Sequence, residues 1–265
     1  ENYLENPKGI QDVMNLVFSE RDRDSKRLEE VLAKNPSWGF LDQIQIPGQK
    51  RPPVEQPLAS PKKPVLSRDE NATAKQIDLG PHFNASLDET WHQGGIDNND
   101  LSQLPHGFST IGGVDYDLRG IIQLTGQGAQ EALSVKFPAA AAGIRINQQA
   151  ERLHFLHACG WKDAEGTRIS TYVVHYENGE TIEIPVEYGI HVRDWWAPTT
   201  QAEVPSGDIA WIGSNGASSA QNQAIQLYHL SWKNPRPETS ILSIDFKSEI
   251  AEAAPFLMAI TVATN

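Results

Sequence analysis

The side chains best suited to recognition are the indoles. Trp195 and Trp196 follow Asp194 at the start of a long polar segment that ends near Asn222, and Trp161 and Trp211 occupy comparable loop settings. An exposed indole stacks on the C–H face of a pyranose, so these four could bind a glycan in a loop-rimmed groove. The same rings could instead close one end of a core, where large aromatics usually sit. Asp97-Asn98-Asn99-Asp100 follows Gly94-Gly95 and sets hard oxygens at short spacing. Calcium would want several such oxygens with backbone carbonyls. Asn and Asp also dominate ordinary turns, so Asp97 and Asp100 stand as metal candidates against a simple turn, and no metal is expected.

The remaining polar residues assemble no reaction. His154 and His157 flank Phe155-Leu156 in a strand pattern, so they point to opposite faces and cannot share a metal. His175 and His229 lie in other apolar strands, and no histidine has the helical or short-loop spacing of a zinc site. Cys159 is the single cysteine and forms no internal disulfide; between Ala158 and Gly160 it reads as a small buried hydrophobe. A glycosidase needs two carboxylates at a set separation, and no pair can be assigned. The tract Ser214 to Asn222 lacks the lysine of a phosphate loop, and no helix pattern follows it. It reads as a mobile or partner-ordered loop. Asn71 and Asn84 match glycosylation sequons, which matter only in a eukaryotic secretory setting. The chain is expected to be no enzyme and to need no cofactor.

Charge narrows the partners. The chain has 265 residues and a formal net charge of -12, the wrong sign for nucleic acid or anionic lipid. No apolar run reaches the roughly 18 residues of a membrane span. The sequence opens on Glu1 in a polar stretch without a signal peptide, which suggests numbering that begins after processing or after an anchor.

Three regions can be separated. In 1–35, Asn6 caps a helix with Pro7 at its first position. Ile10, Val13, Met14, Val17 and Phe18 then make one apolar stripe at helical spacing. The stripe packs either on the rest of the chain or on another subunit. Region 36–75 is proline-rich, with Pro47, Pro52, Pro53, Pro57, Pro61 and Pro64, and favours extended backbone over helix or strand. A structureless connection of roughly forty residues is unusual inside a compact domain. It reads as a linker or as an arm laid over a partner, locally basic through Lys50, Arg51, Lys62 and Lys63.

Region 76–265 reads as antiparallel β. Its clearest element is a hairpin over Arg168 to Val186, where Asn178-Gly179 predicts a type I′ turn with both residues at positive φ. Ile182, Ile184 and Val186 should face a core, and Glu183 and Glu187 solvent. Further strands are expected near 76–79, 110–118, 121–124, 133–137, 143–146, 152–159, 225–232, 240–246 and 256–263. Many short strands without intervening helices point to a jelly roll or a related sandwich.

The run Leu153-His-Phe-Leu-His-Ala, then Tyr172-Val-Val-His-Tyr-Glu-Asn-Gly, Asp194-Trp-Trp, Trp232-Lys-Asn-Pro-Arg-Pro and Ala259-Ile-Thr resembles the galactose-binding-like jelly-roll modules of bacterial glycoside hydrolases, surface proteins and regulatory proteins. The likeness spans about Gln76 to Asn265 and transfers no ligand motif. It implies either an interaction module or a carbohydrate-binding one. The leading expectation is a non-catalytic accessory subunit, extracytoplasmic in a periplasmic or cell-surface setting. It would be fastened to a respiratory, photosynthetic or polysaccharide-handling membrane complex through the stripe, Pro52, Pro53, Lys62 and Lys63. Glycan recognition through the four tryptophans is the alternative.

Overall fold

Alternating residues place two sheets face to face. A computed structural model describes residues 58–92, 98–198 and 207–264. The chain divides into two units, Glu1–Val54 and Glu55–Asn265, and the described residues belong to the second. Ile10, Val13, Met14, Val17, Phe18, Pro52, Pro53 and Asp97 lie outside them.

The described chain is mainly β, antiparallel and sandwich-like. One sheet has seven strands: β1 (Ala85–Ser86), β4 (Gly120–Gln123), β13 (Ala254–Ala263), β6 (Arg152–Gly160), β11 (Gln223–Lys233) and β10 (Asp208–Gly213) in spatial order, with β9 (Trp196–Pro198) also paired to β11. The other runs β5 (Ala140–Gln148), β12 (Ile241–Ser248), β7 (Arg168–Tyr176), β8 (Thr181–Glu187). A separate hairpin joins β2 (Gly107–Ile111) to β3 (Val114–Leu118). Two short α-helices, α1 (Gln127–Ala132) and α2 (Gly216–Ala220), and a 3-10 turn at Gly80–His82 complete the described elements.

The sheets meet through an aromatic stack. Phe155 of β6 lies on Tyr172 of β7 at 4.2 Å between centroids, and Tyr172 lies on Phe246 of β12 at 4.9 Å. All three rings are buried. Each such contact adds about 0.5–1.5 kcal/mol to the burial itself. His157 also faces inward, with Nδ1 3.1 Å from the Tyr172 hydroxyl, while His154 points to the opposite face, as the strand period requires.

The β7–β8 hairpin keeps its predicted register, with Ile184 and Val186 buried, Ile182 half-buried against the core and Glu183 exposed. Its turn differs. Only Gly179 has positive φ, at 85°, and Asn178 does not. The Gly179 amide donates to Tyr176 O at 3.0 Å and the Tyr176 amide to Glu180 O at 2.9 Å, which closes a three-residue loop rather than a two-residue one. Asn178 instead uses its side chain, accepting from the Glu180 amide at 3.1 Å, a local bond available to asparagine without left-handed backbone.

Other expectations shift for local reasons. The 110–118 strand is split by Gly112-Gly113, both at positive φ, into β2 and β3. Residues 133–137 follow α1 and form no strand of their own, contributing only a bridge at Lys136. The Ser214 to Asn222 tract forms α2, because Asn215 and Ser218 make a reciprocal capping box.

Candidate functional site

Three structures decide what the chemistry-bearing residues do. The first is an aromatic cluster seated on Gln123. This side chain is fully buried in β4, and its carbonyl accepts from Trp91 Nε1 at 3.0 Å and from His92 Nε2 at 2.8 Å. Its amide donates to Leu124 O at 2.7 Å and to Pro255 O at 3.2 Å, so both its N–H groups and its carbonyl are engaged. His92 in turn packs on Trp161 at 4.9 Å and edge-on to Trp195 at 5.5 Å. Glycines make the room: a Cβ on Gly160 would come within 2.7 Å of the His92 ring, and one on Gly128 within 2.6 Å of the Trp161 ring. Burial holds His92 down at about 4, so it is neutral at pH 7.

Trp195 is only 2% exposed. The backbone explains why: its amide donates to Cys159 O and its carbonyl accepts from the Gln226 amide, both at 2.8 Å, so it fills a gap between β6 and β11. Trp161 is half-buried against His92, Trp196 donates from Nε1 to Asn99 Oδ1 at 3.0 Å, and Trp211 lies over Gly213 on β10. The fold therefore uses these indoles for closure and attachment and does not present four of them together for stacking. Asp194, which precedes them, accepts from the Trp196 amide at 3.1 Å, and burial lifts its carboxyl to about 6.

The second structure is a turn around Asn98 to Asp100. Asn99 Oδ1 also accepts from Asn215 Nδ2 at 3.1 Å, and the Asn99 amide donates to Thr90 Oγ1 at 3.1 Å. Asp100 Oδ1 accepts from the Ser102 amide and hydroxyl at 3.1 and 2.7 Å. Asn98 takes left-handed backbone with φ 58°. These oxygens tie the loop to Thr90, Ser102 and Asn215. Among the described residues no three His, Cys, Asp or Glu side chains converge to hold a metal.

The third structure is a strap, and the sequence hides it. Residues 58–75, read as the end of a proline-rich arm, are hydrogen-bonded along the β unit. The Ala59 amide donates to Lys136 O at 2.8 Å. Glu89 is 4% exposed, and its Oε2 accepts the amides of both Lys62 and Lys63, at 2.6 and 2.9 Å. Lys63 Nζ donates to Asp88 O. Lys62 and Lys63 thus contribute backbone to this chain, and their neighbours Asp88, Glu89, Thr90, Asn98 and Asp100 line a cleft of about 410 Å³. Further along, Arg68 donates to Asp117 Oδ2 at 3.3 Å and to the carbonyls of Thr73 and Gln76 at 2.6 and 2.5 Å. Arg119 Nε approaches the same Asp117 oxygen at 2.9 Å. Asp117 is buried, and its carboxyl is raised because desolvation outweighs the pull of Arg119 and Arg68. The strap ends alongside β13, where the Val262 amide donates to Lys75 O and the Ile77 amide to Ile260 O, at 2.8 and 2.9 Å.

Buried reactive groups are held quiet. Cys159 is fully buried, and desolvation with the nearby Asp194 and Asp163 charges pushes its thiol well up, so no thiolate forms at neutral pH. His157 is held down at about 3 by burial. Of the two sequons, Asn84 is buried and exchanges hydrogen bonds with the Gln123 backbone at 2.8 and 2.9 Å, whereas Asn71 is exposed. Sequence reasoning missed the strap because proline-rich composition says nothing about side-chain or backbone partners. Glu89, between Asp88 and Thr90, carries no signal that it would accept two amides. Comparison with protein-family models, curated proteins and solved structures found no match.

Proposed function

We propose that this chain is a non-catalytic interaction subunit whose N-terminal residues, anchored at the strap, reach a partner protein in a larger assembly. The supporting observation is the Glu89 anchor. A buried carboxylate that accepts two consecutive backbone amides is a strong, charge-assisted hold, about twice as strong as a neutral pair. It holds the strap on the β unit, and the stripe that the sequence sets at helical spacing, Ile10, Val13, Met14, Val17 and Phe18, is the apolar face proposed to meet the partner. The β unit is read as a jelly roll of the galactose-binding-like kind, on the motifs around Leu153, Tyr172, Asp194 and Trp232. An extracytoplasmic membrane-associated complex is the proposed setting.

The test is to replace Val13 and Val17 together with aspartate in the full chain and purify it from its source. The partner should be lost while the thermal midpoint of the β unit stays put. Undiminished partner recovery would remove the stripe from the account.

A further inference from the structure

One pair of imidazoles meets on the outward face of the seven-stranded sheet. His154 Nδ1 of β6 sits 2.8 Å from His229 Nε2 of β11, with ring centroids 5.1 Å apart and planes 29° apart. The register explains the meeting. His154 pairs directly with Ser231 and His229 with Leu156, so the two imidazoles are diagonal neighbours on the sheet face that points away from the aromatic stack. Asp208 of β10 pairs directly with His229, and its Oδ2 lies 4.0 Å from His229 Nδ1. Two imidazoles and a carboxylate therefore stand in a row across three adjacent strands.

We propose that His154 Nδ1 and His229 Nε2 bind an imidazole-preferring divalent transition-metal ion of the zinc, nickel or copper class, with Asp208 orienting His229. Tetrahedral bonds of about 2.0–2.1 Å need the two nitrogens roughly 3.3 Å apart, so the pair has to open by only about 0.5 Å. The Asp208 side chain is 90% exposed and free to rotate onto His229 Nδ1–H, the role a carboxylate plays behind a metal-bound imidazole. Water completes the shell. The N–H now shared between the rings moves through solvent to an outer nitrogen, so two neutral imidazoles load without net proton release. Burial lowers both histidines below their ordinary range, which keeps their lone pairs free at neutral pH. Arg152 is the opposing charge near His154, and it argues for modest affinity. With two direct protein ligands, the pair differs from a closed structural zinc site and keeps open positions.

The experiment is calorimetric titration of the full chain with zinc and with nickel at pH 7. One site should be seen for each ion and none for magnesium, which prefers oxygen. His154→Gln and His229→Gln should each weaken binding at least tenfold. Asp208→Asn should weaken it by a smaller factor, and His175→Gln, on the other sheet beside Asp245, should leave it unchanged. Imidazole nitrogen spectra of the wild-type chain give a readout independent of any variant, and the first signals to shift with zinc should be those of His154 and His229. Absence of binding, binding intact in both histidine variants, or first shifts at other histidines would overturn the proposal.

Discussion

The two sheets of this molecule are built by different rules. In the four-stranded sheet, β8 and β12 have one face on the core and one toward water, so they alternate: Ile184 and Val186 are buried while Glu183 is exposed, and Ile244 and Phe246 are buried while Leu242 is 45% exposed. Around β13 the seven-stranded sheet is covered on both faces, whereas toward its β10 edge the outer face stays open beside His229. Nearly all of β13 is buried, with Leu257 and Ile260 on the aromatic-stack side and Phe256 under Trp91 and Trp195 on the other. Burial of that second face is what recruits the loops, the tryptophans and the strap. The sandwich supplies a core, and its outer wrapping supplies the site.

The largest effect should come where the sheets meet. Phe155→Ala removes a ring that packs on Tyr172 and should cost about 3–5 kcal/mol, read by chemical denaturation. Leu242→Ala, on the solvent side of the four-stranded sheet, should stay within about 0.5 kcal/mol. Equal effects would erase the distinction between the faces.

A smaller effect sharpens the contrast through pH. His92 covers the outer face and His157 lies on the inner one, held at about 4 and about 3 by burial. An unfolded histidine titrates near 6.5, so below that pH the unfolded chain binds more protons and stability falls toward those folded values. Asp194, raised to about 6, acts oppositely: the folded state takes its proton first and gains stability as pH falls from 6 toward 3.8. Two histidines outweigh one carboxylate, for a net acid loss of a few kcal/mol at about 1.4 kcal/mol per pKa unit. His157→Gln should flatten the slope below pH 6.5. An unchanged slope would mean that His157 is not a buried neutral group.

Legibility followed the same division. Strands with one wet face could be read residue by residue, and the register of the β7–β8 hairpin follows from Ile182, Ile184 and Val186. The turn itself was misread because Asn178-Gly179 serves a three-residue loop as well as a two-residue one, and only the hydrogen bonds of Tyr176 distinguish them. The indoles were visible but their direction was not, since Trp195 is buried by backbone bonds to Cys159 and Gln226. Pairing of His154 with His229 depends on strand order, which a single sequence does not carry. The Glu89 anchor is equally silent in sequence.

The most direct measurement compares the full chain with two truncations, 58–265 and 76–265, scoring partner recovery and the unfolding midpoint together. The shorter deletion should abolish partner recovery and leave the midpoint unchanged. The longer one should also lower the midpoint, because it strips the Lys62 and Lys63 amides from Glu89 and Arg68 from Asp117 and leaves buried carboxylates short of partners. Full partner recovery by 58–265 would contradict the proposed role of the N-terminal residues. Equal midpoints for both truncations would contradict the strap.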